Sequence, residues 1–246
     1  MTIKVLVNGA KGKMGAEAVL TLESVSDLEL GLALDKDDHL SSEVKNNQVE
    51  VALDLTFPVG LKDRVLTYLD LGLDVVVGAT GLTFSDKEII TKKAVQVNKR
   101  VLLCPNFSIS ALLLMKFSVE AAKYMPRVEI IEYHHDKKVD APSGTAIKTA
   151  EMIQENGRIV NEKDLEESEV LVGSRGGKCG RIPIHALRLP GIVADQDVIF
   201  GGVDQTFMLR QTTLSRKAFM PGVLLALRGV QNLEMGLTDG LEHLLT

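Results

Sequence analysis

The feature that most constrains this chain is the alternation, through its first hundred residues, of short runs rich in Val, Leu and Ile with longer amphipathic stretches. The runs are IKVLVNG (3–9), LELGLALD (28–35), VEVALDLTF (49–57), DVVVGATG (74–81) and RVLLCPNFS (100–108). Strands with so little polar content must be covered on both faces, and the helical segments near 14–22, 60–72 and 85–97 supply that cover. The pattern predicts a Rossmann-like, doubly wound α/β layer with a parallel sheet.

After Phe107 the pattern changes. SISALLLMKFSVEAAKYM (108–125) predicts a long apolar helix that Ser108 or Ser110 can cap, followed by a strand in VEIIEYHH (128–135) and a helix over 145–156. Residues 180–191, 194–202 and 204–215 form three strand-like segments broken by Gly and Pro, as expected of a second, α+β domain with an open mixed or antiparallel sheet. GSRGGKCGR (173–181) reads as a mobile basic loop, and AFMPGVLLALRGVQNL (218–233) as helical after Pro221.

Charge narrows the function classes. A net charge of −5 is opposed to the broad basic footprint of nucleic-acid binding, so any cationic site is local. No run approaches the roughly 18 apolar residues of a membrane span, and the N-terminus lacks a long apolar leader, so a cytosolic protein without membrane contact is expected. Cys104 and Cys179 form no CxxC pair, and no His or carboxylate spacing suits a metal, so two buried free thiols and no metal are expected.

Gly9, Gly12 and Gly15 in VNGAKGKMG follow a strand and open a helix. There, orphan amides and the helix dipole favour a pyrophosphate, and a missing Cβ lets backbone approach it. The next strand ends in Asp35, where a carboxylate suits the ribose of NAD, and Lys36 beside it suits the 2′-phosphate of NADP. GATG (78–81) and CPNFS (104–108) lie at other strand ends, where parallel sheets bind ligands.

EYHHDKKVDAPSGTA (132–146) concentrates two of the five histidines, two lysines and a Ser-Gly-Thr helix start. On a regular strand His134 and His135 face opposite ways, a rule that relaxes at the strand end. Ser143 or Thr145 can cap the helix while Gly144 leaves amides open, so a bound carboxylate would have Lys137 or Lys138 and a histidine within reach. Histidine donates protons near neutrality and lysine supplies positive charge where an anion or imine develops, so hydride transfer to an anionic, unsaturated small molecule is the chemistry implied.

With these motifs assembled, the chain resembles the 4-hydroxy-tetrahydrodipicolinate (dihydrodipicolinate) reductase family of the bacterial lysine and diaminopimelate pathway. VNGAKGKMG, VVGATG, CPNFS, EYHHDKKVDAPSGTA and IPIHALRLPGIVADQDVIFGG carry the resemblance over essentially the whole length. It implies a dinucleotide-binding domain from 1–106, completed by a C-terminal helix within 216–246, and a substrate-binding and oligomerisation domain over 107–215. It further implies NADH or NADPH contacts at Gly9, Ala10, Lys11, Gly12, Lys13, Met14, Asp35, Lys36, Gly78, Ala79, Thr80, Cys104, Pro105, Asn106 and Phe107. His134 matches the family's proton donor, Lys138 its catalytic lysine, and His135, Gly144 and Thr145 its substrate-binding positions. The implied reaction reduces a cyclic dicarboxylate imine to tetrahydrodipicolinate with release of water, in a homotetramer. Family members often carry Thr at the position of Ala79 and Ala or Gly at that of Pro105, and the stretch after Lys36 is shorter here, which bears on cofactor preference. Two other readings compete: a different oxidoreductase on a similar framework, such as a homoserine or amino-acid dehydrogenase, and a redox-sensing or regulatory protein that binds a dinucleotide without turnover.

Overall fold

The computed structural model describes residues 2–35, 38, 44, 47–161 and 168–245. The chain separates into two compact units, Met1–Ser108 with Phe219–Thr246, and Ile109–Ala218.

Among the described residues of the first unit, six strands form one parallel sheet: β1 (Ile3–Asn8), β2 (Leu28–Leu34), β3 (Val51–Asp54), β4 (Asp74–Val77), β5 (Arg100–Leu103) and β11 (Gly236–Asp239), in the order β11-β5-β4-β3-β1-β2. The accompanying helices are α1 (Lys13–Glu23), α2 (Leu61–Asp70), α3 (Phe84–Gln96) and α6 (Met220–Gly229). Val51, Ala52, Leu53, Val75, Val76 and Val77 are fully buried, as strands apolar on successive positions require. Each fully buried Val or Leu contributes about 1.5–3 kcal/mol, so these two strands alone anchor the layer. β1 has β2 on one side and β3 on the other, so the direction of strand addition reverses beside it. That reversal opens a crevice at the carboxyl end of β1, where Gly9 begins the turn to α1.

The second unit has the sheet order β10-β9-β6-β8-β7, from β6 (Arg127–His134), β7 (Gly177–Cys179), β8 (Ile182–Arg188), β9 (Ala194–Gly202) and β10 (Gln205–Thr213). β6 and β8 are parallel and every other pairing is antiparallel, so the sheet is mixed. Helices α4 (Ile109–Ala122) and α5 (Gly144–Asn156) contribute Leu114, Ala146, Ala150 and Ile153 to a core shared with Val128 and Ile130 of β6. The other face of β6 carries Glu129, Ile131 and Tyr133, each half-buried, and a cavity of about 730 Å³ is lined by Glu129, Ile131, Arg175 and His185.

Three expectations need correction. Part of the basic loop at 173–181 is strand β7, and Arg175 donates to Glu129 at 2.6 Å. The C-terminal segment adds a sixth strand, β11, where only a helix was expected. Cys104 is buried, but Cys179, on the edge strand β7, is only half-buried. Among the described residues, no helix is long and apolar enough to cross a membrane, and no group of three or more His, Cys, Asp or Glu side chains could hold a metal ion.

Candidate active site

The first unit gathers backbone, not charge, at the end of β1. Gly9 has φ +85°, a conformation costly for any residue with a Cβ. A Cβ on Gly15 would lie 2.0 Å from the Gly9 carbonyl oxygen, so the turn and the first helical turn meet with no room for a methyl group. The amides of Gly9 and Ala10 donate to Leu34 O at 2.9 and 3.0 Å, and that of Gly12 to Gly9 O at 2.9 Å. The Lys11 amide donates to the Asp35 carboxylate at 3.0 Å, which fixes that carboxylate against the glycine turn. The first helical bond runs from Ala16 N–H to Gly12 O, and no side chain caps α1. The amides of Lys13, Met14 and Gly15 therefore have no acceptor within the helix and form an anion cradle that the macrodipole reinforces. This set fits a dinucleotide pyrophosphate, with Asp35 at a ribose-binding position. Lys36 lies outside the described residues.

Two further strand ends meet nearby in the same unit. A Cβ on Gly78 would lie 2.8 Å from the Phe107 ring, so the loops after β4 and β5 are in contact. Asn106 accepts from the Ser108 amide at 2.8 Å and shapes the second loop, while Ala79 is half-buried and Thr80 and Pro105 are exposed. Burial, with the nearby charges of Glu242 and Asp239, pushes the Cys104 thiol far above its usual range, so it is inert packing.

Beneath the glycine turn is a buried polar cluster. Asn8 donates to the Tyr68 hydroxyl at 2.6 Å, and that hydroxyl donates to Asp54 at 3.0 Å. Arg64 donates to Asp54 at 3.1 Å and to the carbonyls of Val59 and Phe57, which ties down the loop after β3. Burial and the Asp54 charge raise the Tyr68 hydroxyl well above its usual range, so it stays a neutral bridge.

The second unit gathers charge at the end of β6. Glu132 and His134, two apart on a strand, share a face, and Glu132 is fully buried. Glu132 accepts from His134 Nδ1, from both terminal nitrogens of Arg188 at 2.8 and 3.0 Å, and from the Ser143 amide at 3.2 Å. Burial pushes the Glu132 carboxyl up, but the hydrogen bonds and charges of His134 and Arg188 outweigh it and hold the group below its usual value. An ionised carboxylate can only accept, so His134 Nδ1 carries a proton and Nε2 is left for other partners. The His134 side chain remains 16% exposed.

Lys138 pairs with Asp140 at 2.7 and 2.8 Å, and Arg188 also donates to the Asp140 carbonyl at 2.8 Å. Ser143 caps α5 by accepting from the Ala146 amide at 3.2 Å; Gly144 and Thr145 are the first two helical residues. Among the described residues, the buried His135 Nδ1 has no hydrogen-bond partner. His134 is thus linked through Glu132 to Arg188 and Ser143, Lys138 joins through Asp140, and Gly144 and Thr145 follow the Ser143 cap directly. The role of Glu132 and Arg188 was not read from sequence, although EYH does place a carboxylate and an imidazole on one strand face.

A doubly wound sheet with a glycine-walled anion cradle at its switch point is the build of a dinucleotide-binding domain, and the chain's relatives make it that of a nicotinamide-nucleotide-dependent oxidoreductase. Comparison with known proteins narrows that class. Residues 3–107 match the family model described as dihydrodipicolinate reductase, N-terminus, and residues 110–245 the one described as dihydrodipicolinate reductase, C-terminus. The 4-hydroxy-tetrahydrodipicolinate reductase of Halalkalibacterium halodurans is 40% identical over 263 residues, covering 99% of both chains. That of Legionella pneumophila is 40% identical over 245 residues, covering 100% of both. A solved dipicolinate-bound dihydrodipicolinate reductase from Paenisporosarcina sp. TG-14 aligns with a TM-score of 0.91 at 38% identity over 99% of each chain. The chain belongs to the dihydrodipicolinate reductase family.

Proposed function

We propose that this protein reduces the cyclic dicarboxylate imine 4-hydroxy-tetrahydrodipicolinate to tetrahydrodipicolinate, in the diaminopimelate and lysine pathway, with His134 as proton donor. The observation that carries this reading is the His134 imidazole, held by a buried carboxylate in a network that also reaches a lysine and a capped helix start.

The first unit is the cofactor unit and the second the substrate unit. NADH or NADPH, when bound, supplies the hydride. The amides of 13–15 hold its pyrophosphate, Asp35 takes the adenosine ribose, and the loops of Gly78–Thr80 and Cys104–Phe107 bound its nicotinamide end. His135, whose buried Nδ1 has no hydrogen-bond partner among the described residues, and the N-terminal amides at Gly144 and Thr145 receive substrate carboxylates. The dipicolinate held by the relative from Paenisporosarcina is a cyclic dicarboxylate of the kind such a site requires.

Lys138 stabilises the charge that develops as the ring is reduced. Asp140, its partner, is 68% exposed and Lys138 itself 19%, so the carboxylate can turn to solvent and leave the ammonium to the substrate. The His134 imidazolium delivers the proton from Nε2 and keeps its Nδ1 proton hydrogen-bonded to the Glu132 carboxylate. In balance, the substrate gains one hydride and one proton and loses its hydroxyl as water. Met208, in register with Ile199 on the sheet face that carries Glu129 and Ile131 and 51% exposed, supports assembly as a homotetramer.

The test is the loss of reduced-nicotinamide absorbance with NADH and then NADPH, the substrate being made freshly from pyruvate and aspartate semialdehyde by the preceding synthase. Synthase-dependent oxidation is expected. Tight NADH binding without oxidation would overturn the reductase reading and favour a non-catalytic sensor.

A further inference from the structure

Glu132 has no solvent exposure, yet it is ionised and fully engaged. Two buried Val and Ile residues precede it on the same strand face, at 128 and 130, so apolar packing would be served by a third aliphatic residue. An isolated buried carboxylate is costly, and its compensation here is specific: the two-pronged contact from Arg188 neutralises it, and the His134 ring and the Ser143 amide take the two remaining acceptor positions. The arrangement fixes which imidazole nitrogen bears a proton when the ring is neutral. It also sets the charge that the ring feels when it is protonated.

We propose that Glu132 and Arg188 are a positioning pair for proton transfer: the carboxylate fixes the tautomer of His134 and stabilises its protonated form, and the guanidinium limits that stabilisation. The inference rests on the reading of His134 as proton donor. Among the described residues, the groups facing this carboxylate are few. Its own strand contributes His134, β8 contributes Arg188, and the N-cap of α5 contributes the uncharged Ser143 amide. β9 places the uncharged Gln196 opposite Glu132 in register, its amide turned to Thr149 at 2.9 Å. The connecting segment after β6 contributes the Asp140 carbonyl to Arg188; of its charges, Lys138 and Asp140 pair with each other, and Asp136 and Lys137 are exposed.

The two members have opposite charges, so their removal must act in opposite directions. Without the carboxylate the imidazolium loses its countercharge and gives up its proton at lower pH. Without the guanidinium the carboxylate acts at full strength and the proton is held to higher pH. An opposite charge at hydrogen-bonding distance shifts a titration by roughly 1–3 units.

The experiment is the pH dependence of kcat for Glu132→Gln, Arg188→Gln, Glu132→Asp and His134→Gln, with NADH affinity measured by fluorescence on the same preparations. For Glu132→Gln we expect a fall in kcat of about tenfold or more and an alkaline limb displaced to lower pH by roughly 1 unit or more. For Arg188→Gln that limb moves to higher pH, and NADH affinity is unchanged in both. Glu132→Asp, which keeps the charge, retains the wild-type limb with reduced kcat and covers the case in which Glu132→Gln does not fold. In the His134→Gln background, Glu132→Gln should cost nothing further, because the pair acts only through the ring. If His134→Gln keeps full turnover, the proton-donor reading fails and the pair's role with it. If His134→Gln loses turnover but the Glu132 and Arg188 variants leave the limb in place, or move it in the same direction, the positioning role alone is overturned.

Discussion

The ends of β1 and β6 solve opposite problems. At β1 the protein removes side chains so that backbone amides can face an anion; at β6 it buries a carboxylate and surrounds it with an imidazole, a guanidinium and an amide. The first site should therefore be intolerant of volume and indifferent to nearby charge. The second should tolerate a change of shape better than a change of charge.

The largest expected effect sharpens that contrast. His134→Gln keeps nearly the same volume and should lower kcat by about 10²–10⁴-fold while leaving the NADH dissociation constant in place, measured by steady-state kinetics and fluorescence titration. Near-wild-type kcat would dissolve the distinction. Gly15→Ala is the counterpart: one methyl, no charge, and a backbone oxygen 2.0 Å from the new atom. Overpacking of this kind costs about 1–3 kcal/mol, so a lower Tm and weaker NADH binding are expected. Wild-type affinity in Gly15→Ala would remove the close turn from cofactor binding.

Smaller effects test the supports. Tyr68→Phe removes the hydroxyl between Asn8 and Asp54 and should cost about 1–3 kcal/mol in urea denaturation, with turnover kept per folded molecule. Ser143→Ala loses the α5 cap, worth about 1 kcal/mol, and should raise the substrate KM more than it lowers kcat. An equal fall in both kinetic parameters would argue against a ground-state role for this helix start. The smallest effect is in acid. Glu132 titrates below its ordinary 4.5 in the folded protein, so its stabilisation is complete above about pH 4.5 and is lost as the pH falls through the lower folded value. Urea midpoints at stepped pH should decline more steeply in wild type than in Glu132→Gln over that window.

The glycine turn and the buried strands were legible because their signals are local: Val75 to Val77 need cover wherever they lie, and a strand, three spaced glycines and a helix define a turn by themselves. Ser143 was legible as one of two candidate caps for the same reason. Arg188 was not, since it meets Glu132 across 56 positions and nothing in LRLPG announces that partnership. Glu132 had a weak signal, a carboxylate in the apolar register of Val128 and Ile130, which the adjacent histidines overshadowed. β7 and β11 escaped because strands of three and four residues owe their existence to β8 and β5 beside them, not to their own composition.

The pairing of β11 with β5 bears on the order in which the protein is made. β5 emerges from the ribosome at residues 100–103, but its outer neighbour comes only at 236–239, after the whole second unit has been synthesised. Throughout that interval the nascent first unit has an uncovered parallel edge, the kind of template on which neighbouring chains aggregate. A chain interrupted shortly before Gly236 would retain the glycine turn and the Glu132 network in its sequence and still leave that edge open.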